Sequence, residues 1–269
     1  MRPIGIFDSG IGGLTVARAV AGVLPAHSII YYGDTAHLPY GEKSPALIGR
    51  YATEITRELV RLGCGSIVVA CNSASSNALD LIRAEAGESI PVIDVVHPVV
   101  EAVSAQFPAG QIGVIGTRAT IDSGWYQSLL ASRGFEVVPK ATPLLASAIE
   151  AGFHEGEVSD ALISAYFESG EFNAVRALIL GCTHYPLVAD QIAEALPESV
   201  KLLDSAEAAA QALKVALQPF SEDVEMSAAG RRFDRFMVSD LTVSFSLSAQ
   251  RFFGQPVDLV EHKLPSVTG

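Results

Sequence analysis

The 269-residue chain has only three cysteines, Cys64, Cys71 and Cys182, one tryptophan and three methionines. No pair of cysteines forms a CxxC, and no His/Cys group has metal-ligand spacing, so no bound metal and no redox pair is expected. Positive charge is scarce: 18 Lys and Arg stand against 30 Asp and Glu, a formal net charge of −12. A field of that sign repels nucleic acid and anionic membrane, so neither is an expected partner. An acidic ligand would have to be held by local backbone N–H groups, hydroxyls and helix N-termini. Long apolar runs are missing too, and residues 1–8 lack the apolar core and cleavage site of a signal peptide, so the expectation is a cytoplasmic protein. In that reducing compartment the cysteines are expected as free thiols. What the chain does have is 49% hydrophobic residues, enough to bury a substantial core as one large or two small domains.

Two of the cysteines occupy matching points of two similar half-sequences. Each directly follows an apolar run: Ile67-Val68-Val69-Ala70-Cys71-Asn72-Ser73 and Leu178-Ile179-Leu180-Gly181-Cys182-Thr183-His184. The two thiols are 111 residues apart, Gly5-Ile6-Phe7-Asp8-Ser9 recurs 108 residues on as Gly113-Val114-Ile115-Gly116-Thr117, and Ile93-Asp94 recurs 110 residues on as Leu203-Asp204. A duplicated unit whose halves face each other would set one thiol on either side of a bound molecule. That arrangement can take a proton from one face of a carbon and return one to the other.

Short β-branched runs alternate with longer helical patterns. Strands are expected over 4–7, 29–32, 66–70 and 92–95, then over 111–115, 135–139, 177–180 and 200–203. Helical patterns cover 44–62, 74–86, 123–132, 154–168, 187–195 and 206–217. This alternation implies α/β architecture: two pseudo-symmetric domains, each a parallel sheet flanked by helices, with the active site at the interdomain cleft. The tail breaks the repeat, with a run over 231–238, a helical stretch around 247–253 and a further run over 257–261. The expected division is therefore 1–97 plus 207–269 for the first domain and 98–206 for the second.

Taken singly, a free cysteine is most often a small buried hydrophobe, and that is the reading of Cys64. The shared position of Cys71 and Cys182 at strand ends, before residues able to cap a helix, favours reactive thiols instead. Asp8-Ser9-Gly10-Ile11-Gly12-Gly13 is a strand-to-helix turn suited to a carboxylate or phosphate, and matches neither the P-loop nor the dinucleotide fingerprint. The stretch from Tyr32-Gly33-Asp34 to Ser44 reads by itself as a surface loop. His184, two residues after Cys182, could tune that thiol or a ligand amine. Glu150 reads locally as a solvated helix residue.

Together these segments resemble the glutamate racemase family. The resemblance is carried by 5–16, 32–36, Leu38-Pro39-Tyr40-Gly41, 69–75, 112–117 and, most specifically, Leu178 to Leu187 with Gly181-Cys182-Thr183-His184-Tyr185-Pro186 at its centre. The family interconverts L- and D-glutamate without a cofactor and supplies D-glutamate for peptidoglycan. The resemblance implies that Cys71 deprotonates D-glutamate and Cys182 L-glutamate. It assigns Asp8 and His184 as auxiliary groups beside the thiols, with Asp34 and Glu150 at acidic positions of the same sites. Ser9, Pro39, Tyr40, Gly41, Asn72, Ser73, Thr117, Thr120 and Thr183, along with Asp8 and His184, match the ligand-binding set. A homodimer is the expected assembly.

Some positions depart from the family pattern: Ser73 stands where threonine is common, Thr142 where cysteine is common, and Val99 where glycine is common. None removes a catalytic group. The motif begins almost at Met1, so activation by a peptidoglycan precursor, which in the family goes with an N-terminal extension, is not expected. Related families use the same two-cysteine plan on aspartate or hydantoins, and a non-catalytic amino-acid sensor on the same scaffold is the alternative from another class.

Overall fold

The structure is a computed structural model that describes residues 1–218 and 233–264. The first half opens with β1 (Ile4–Asp8), α1 (Leu14–Val23), β2 (Ile29–Gly33), a 3-10 turn over Tyr40–Glu42, and α2 (Pro45–Arg61). It continues with β3 (Ser66–Val69), α3 (Asn72–Asn77), α4 (Leu79–Ala86), β4 (Val92–Asp94) and α5 (Val96–Gln106). The second repeat runs β5 (Gln111–Gly116), α6 (Arg118–Asp122), α7 (Trp125–Ala131), β6 (Glu136–Ala141), α8 (Pro143–Glu150) and α9 (Glu157–Phe167). Then come β7 (Ala177–Gly181), a 3-10 turn over Tyr185–Val188, α10 (Ala189–Glu194), β8 (Lys201–Asp204) and α11 (Ser205–Leu217). The described part of the tail supplies β9 (Arg235–Val238), α12 (Val243–Phe253) and β10 (Leu259–Glu261). Residues 231 and 232 of the run expected over 231–238 lie outside the described residues.

Two sheets result, ordered β10-β9-β2-β1-β3-β4 and β6-β5-β7-β8, and every pairing is parallel. The chain leaves the first sheet after β4 and rejoins it at β9, beside β2. β1, β2, β3 and β7 are buried at every residue, as strands covered by helices on both faces must be. In register, β1 lies between β2 and β3 and β5 between β6 and β7, so the ends that carry Asp8, Cys71, Thr117 and Cys182 are central in their sheets.

Two local differences from the sequence reading have clear causes. The helix expected over 74–86 begins already at Asn72, with Cys71 in the N-cap position, and breaks at Ala78, whose φ is −135°. Val96–Gln106, which no expected range covered, is helical even though Pro98 and four valines obscure the pattern. Proline is tolerated in a first turn, and the carboxylate of Asp94 accepts hydrogen bonds from the N–H groups of Val96 and His97 at 2.8 and 2.9 Å.

Burial by itself would raise the Asp94 carboxyl, but bonds to His97, including its Nδ1 at 2.8 Å, outweigh it and hold the group below the usual carboxylate range. Because the folded value is depressed, the stabilisation is present above the unfolded carboxylate pKa and is lost as pH falls through the folded one. Asp94→Ala is expected to cost about 1–2 kcal/mol at neutral pH. Thermal melts of the two proteins should keep their gap down to about pH 4 and converge as pH drops further; a gap that stays constant well below that pH would contradict the assignment.

Candidate active site

Residues from the carboxyl ends of both sheets line one cavity. From the first sheet come Asp8 and Ser9 after β1, Pro39, Tyr40 and Gly41 from the loop after β2, and Cys71, Asn72 and Ser73 after β3. From the second come Thr117 after β5, Glu150 at the end of α8, and Cys182, Thr183 and His184 after β7. The cavity is about 30 Å³, room for a couple of water molecules but not for an amino acid, so its walls must part to admit one. Among the described residues, no lysine or arginine lines it.

The two thiols are set in different environments. The Cys71 sulfur is approached by the N–H groups of Ser9 and Ala74 and by the Ser9 hydroxyl, all of which favour a thiolate. Burial and the nearby Asp8 charge are stronger and push the thiol up to about 12. Cys182 precedes a 3-10 turn rather than an α-helix, and its sulfur lies 3.6 Å from His184 Nδ1. Burial lowers the pKa of His184, yet the Cys182 sulfur and the Glu150 carboxylate together outweigh it and raise the imidazole well above its ordinary value. The imidazole sits between the sulfur and Glu150, whose Oε2 is 3.6 Å from Nε2.

Asp8 holds the turn after β1. Its Oδ2 accepts from Gly13 N at 2.9 Å and Gly10 N at 3.3 Å. Burial raises its carboxyl, with the His184 charge and these N–H groups pulling the other way. Gly12 is needed where this turn meets the opposite half: a Cβ there would come within 2.4 Å of the His184 ring and 2.5 Å of Thr183 Oγ1. Gly12, and Gly10 beside Glu150, thus serve close packing between halves, while Gly13 packs against Asp8 and Ala70 of its own half.

The site-facing polar atoms include several with no hydrogen-bond partner among the described residues: Asn72 Nδ2, Glu150 Oε1 and His184 Nε2 are buried, and Nε2 has only the longer contact with Glu150 Oε2. Unmatched buried donors and acceptors are costly, which marks these three as facing a ligand. Asn72 is oriented by the buried Tyr126 hydroxyl, which donates to Asn72 Oδ1 at 2.8 Å and leaves Nδ2 to donate. Ser73, Thr117 and Thr120 form a hydroxyl cluster across the two halves, with Oγ separations of 2.9, 3.3 and 3.1 Å.

Two expected site residues do not line the cavity. Thr120 stands behind Ser73 and Thr117. Asp34 lies behind Tyr40: the Tyr40 hydroxyl donates to its Oδ2 at 2.6 Å, and Ser239 Oγ and His37 Nδ1 contact Oδ1 at 2.9 and 2.8 Å. Asp34 thereby fixes Tyr40 against the cleft. The local reading of Glu150 as solvated is overturned, since its side chain is only 14% exposed where the end of α8 meets Gly10 and His184. The surface-loop reading of 38–44 holds only in part: Pro39, Glu42 and Ser44 are exposed, while Tyr40 is wholly buried and 38–41 form part of the cavity wall. Ser147, one turn before Glu150 on α8, also lines the cavity; the helical spacing of that pair was the available signal. Cys64 is buried behind Gly5 in the core, with burial pushing its thiol up to about 12.

Two parallel α/β sheets with a cysteine after the matching strand of each, facing one cavity, define a class of protein. The sequence profile of the Asp/Glu/Hydantoin racemase family matches residues 14–213. The glutamate racemase of Beutenbergia cavernae is 41% identical over 99% of this chain and 94% of its own length, and that of Corynebacterium diphtheriae is 42% identical over 96% and 97%. Among solved structures, the Francisella tularensis glutamate racemase in complex with D-glutamate matches with a TM-score of 0.89 and 33% identity, covering 98% of this chain and 97% of that one. The Thermus thermophilus glutamate racemase in complex with β-chloro-D-alanine matches with a TM-score of 0.84 and 38% identity, over 98% and 97%. The chain belongs to the glutamate racemase family.

Proposed function

We propose that this protein racemises glutamate without a cofactor, with Cys71 and Cys182 as the two acid–base groups. The observation that carries the reading is their placement after matching strands of the two sheets, on the walls of one cavity. In the L-to-D direction the Cys182 thiolate takes the Cα proton and Cys71 returns its thiol proton to the other face. The D-to-L direction reverses both roles. Cα keeps the electron pair between the two steps, and each cycle exchanges the proton states of the sulfurs. Burial of Cys71 penalises a lone thiolate, but a bound amino acid brings an ammonium whose charge offsets that penalty. Asp8 and Glu150 face the same space and can hold the ammonium, while Asn72 Nδ2, the Ser73 and Thr117 hydroxyls and backbone N–H groups suit the carboxylates. Asp34 and Thr120 act as positioning residues behind Tyr40 and the hydroxyl cluster.

The same reading places the protein in the cytoplasm, supplying D-glutamate for peptidoglycan as a homodimer, with domains at 1–97 plus 207–269 and 98–206. No helix among the described residues is long and apolar enough to cross a membrane. The direct test is racemisation of purified protein in EDTA, without pyridoxal phosphate, followed by optical rotation for glutamate, aspartate and a hydantoin. Preference for glutamate supports the proposal. Preference for aspartate, or activity only with pyridoxal phosphate, refutes it.

Two further outcomes follow from the site. Tyr126→Phe removes the hydroxyl that orients the Asn72 amide, and KM for glutamate should rise about tenfold, the weight of one buried hydrogen bond, with the fold retained. An unchanged KM would remove Tyr126 from the account. In Cys182→Ser, both remaining thiols are held near 12 by burial. Because burial penalises the anion, ultraviolet absorbance at the thiolate band should show no step between about pH 6 and pH 9, well above where an ordinary thiol of pKa about 8.5 begins to ionise. A thiolate step in that range would contradict the environment assigned to Cys71.

A further inference from the structure

Outside the mouth of the cavity lies a second pocket of about 330 Å³ that shares Gly41 with it. The two spaces are separated by a single layer: Thr117 faces inward and the next residue, Arg118, lines the outer pocket, while Ser73 faces inward and Asn77, one helical turn on, lines the outer one. Asn77 Nδ2 ties this layer together by donating to Ser73 O and Ala119 O, each at 2.9 Å. Across the mouth, Arg118 Nε on α6 stands 3.6 Å from Glu42 Oε2 on the 3-10 turn, with side chains 58% and 49% exposed. Lys43 adds a second cation to the rim and Asp122 a second anion.

The inner cavity offers no lysine or arginine among the described residues, and the chain as a whole carries a net charge of −12. A dicarboxylate approaching along the Gly41 side finds cations at Arg118 and Lys43, balanced in the same pocket by Glu42 and Asp122. A half-exposed ion pair at such a separation contributes little stability by itself. An incoming carboxylate can therefore displace Glu42 from Arg118, whose planar guanidinium suits a bidentate carboxylate. We propose that this outer pocket is a carboxylate subsite on the substrate's route, with Arg118 as the receptor and Glu42 as the internal carboxylate that the substrate displaces. That the dicarboxylate is glutamate rests on the proposed function; the subsite itself rests on the pocket and its charges.

The two partners of the ion pair give opposite predictions. Association of D-glutamate, and separately of glutarate, would be followed by stopped-flow fluorescence of Trp125, the only tryptophan, whose backbone N–H donates to the Ser123 hydroxyl of the outer pocket. Arg118→Gln should slow association by about fivefold or more, and Glu42→Gln should accelerate it, as expected for charge at a cleft mouth. Arg118→Lys should restore part of the rate. Glu136→Gln removes an exposed charge from the start of β6, the far end of its sheet, and should leave the rate alone. If the ion pair is only a structural tie, Arg118→Gln and Glu42→Gln change the rate in the same direction, and the proposal fails. It fails equally if Glu136→Gln accelerates association as much as Glu42→Gln. Racemisation by the unmodified protein is measured separately, so loss of the glutamate assignment is distinguishable from loss of the subsite, which glutarate still reports.

Discussion

Cys71→Ser and Cys182→Ser should each lose racemisation by roughly a hundredfold to ten-thousandfold, the usual contribution of a positioned acid–base group. A serine hydroxyl keeps the shape of the thiol but does not ionise in the accessible range. The residual chemistry should divide by enantiomer. Cys71→Ser keeps Cys182 beside His184 and should still abstract the proton of L-glutamate analogues; Cys182→Ser keeps Cys71 and should favour the D-analogues. Analogues with chloride on Cβ report this directly, because abstraction of the Cα proton expels chloride and needs no reprotonation from the far side. Equal residual elimination from both enantiomers in both variants would overturn the division of labour. Full racemase activity in either variant would overturn the mechanism.

Gly41→Ala is expected to lower kcat by about a hundredfold, the cost of displacing reacting groups by about an ångström. A Cβ at Gly41 would lie 2.6 Å from Thr117 Cβ and 2.7 Å from its Cγ2, far inside contact distance. The wedge falls between the loop after β2 and the start of α6, at the mouth of the cavity, and leaves both sheets untouched. The melting temperature should therefore change little while the two halves fail to close. Activity within twofold of the unmodified protein would show that closure at Gly41 and Thr117 is not required.

The strands that carry the thiols were legible because buried parallel strands read as unbroken apolar runs, and Ile67 to Ala70 and Leu178 to Gly181 each end abruptly at a cysteine. The internal repeat made the pairing of the two sheets readable as well. What the residues alone did not show depends on contacts distant in sequence. Glu150 looks like any polar residue at a helix end until α8 is packed under Gly10 and His184. Asp34 looks like a site carboxylate until Tyr40, Ser239 and His37 are seen to saturate it. The break at Ala78 and the helix over Val96–Gln106 were obscured because propensity is weak beside packing and capping. Tyr126 carries no motif at all, and its part emerges only from its bond to Asn72.

The central claim, two thiols acting on opposite faces of Cα, is tested most directly by starting from each pure glutamate enantiomer in deuterium oxide and reading the label by mass spectrometry in the first per cent of turnover. Two bases predict that product of inverted configuration carries deuterium at Cα, delivered by the exchanged thiol, while the recovered starting enantiomer remains unlabelled. Deuterium appearing in the starting enantiomer as fast as in the product, or product formed with its original proton, would contradict it.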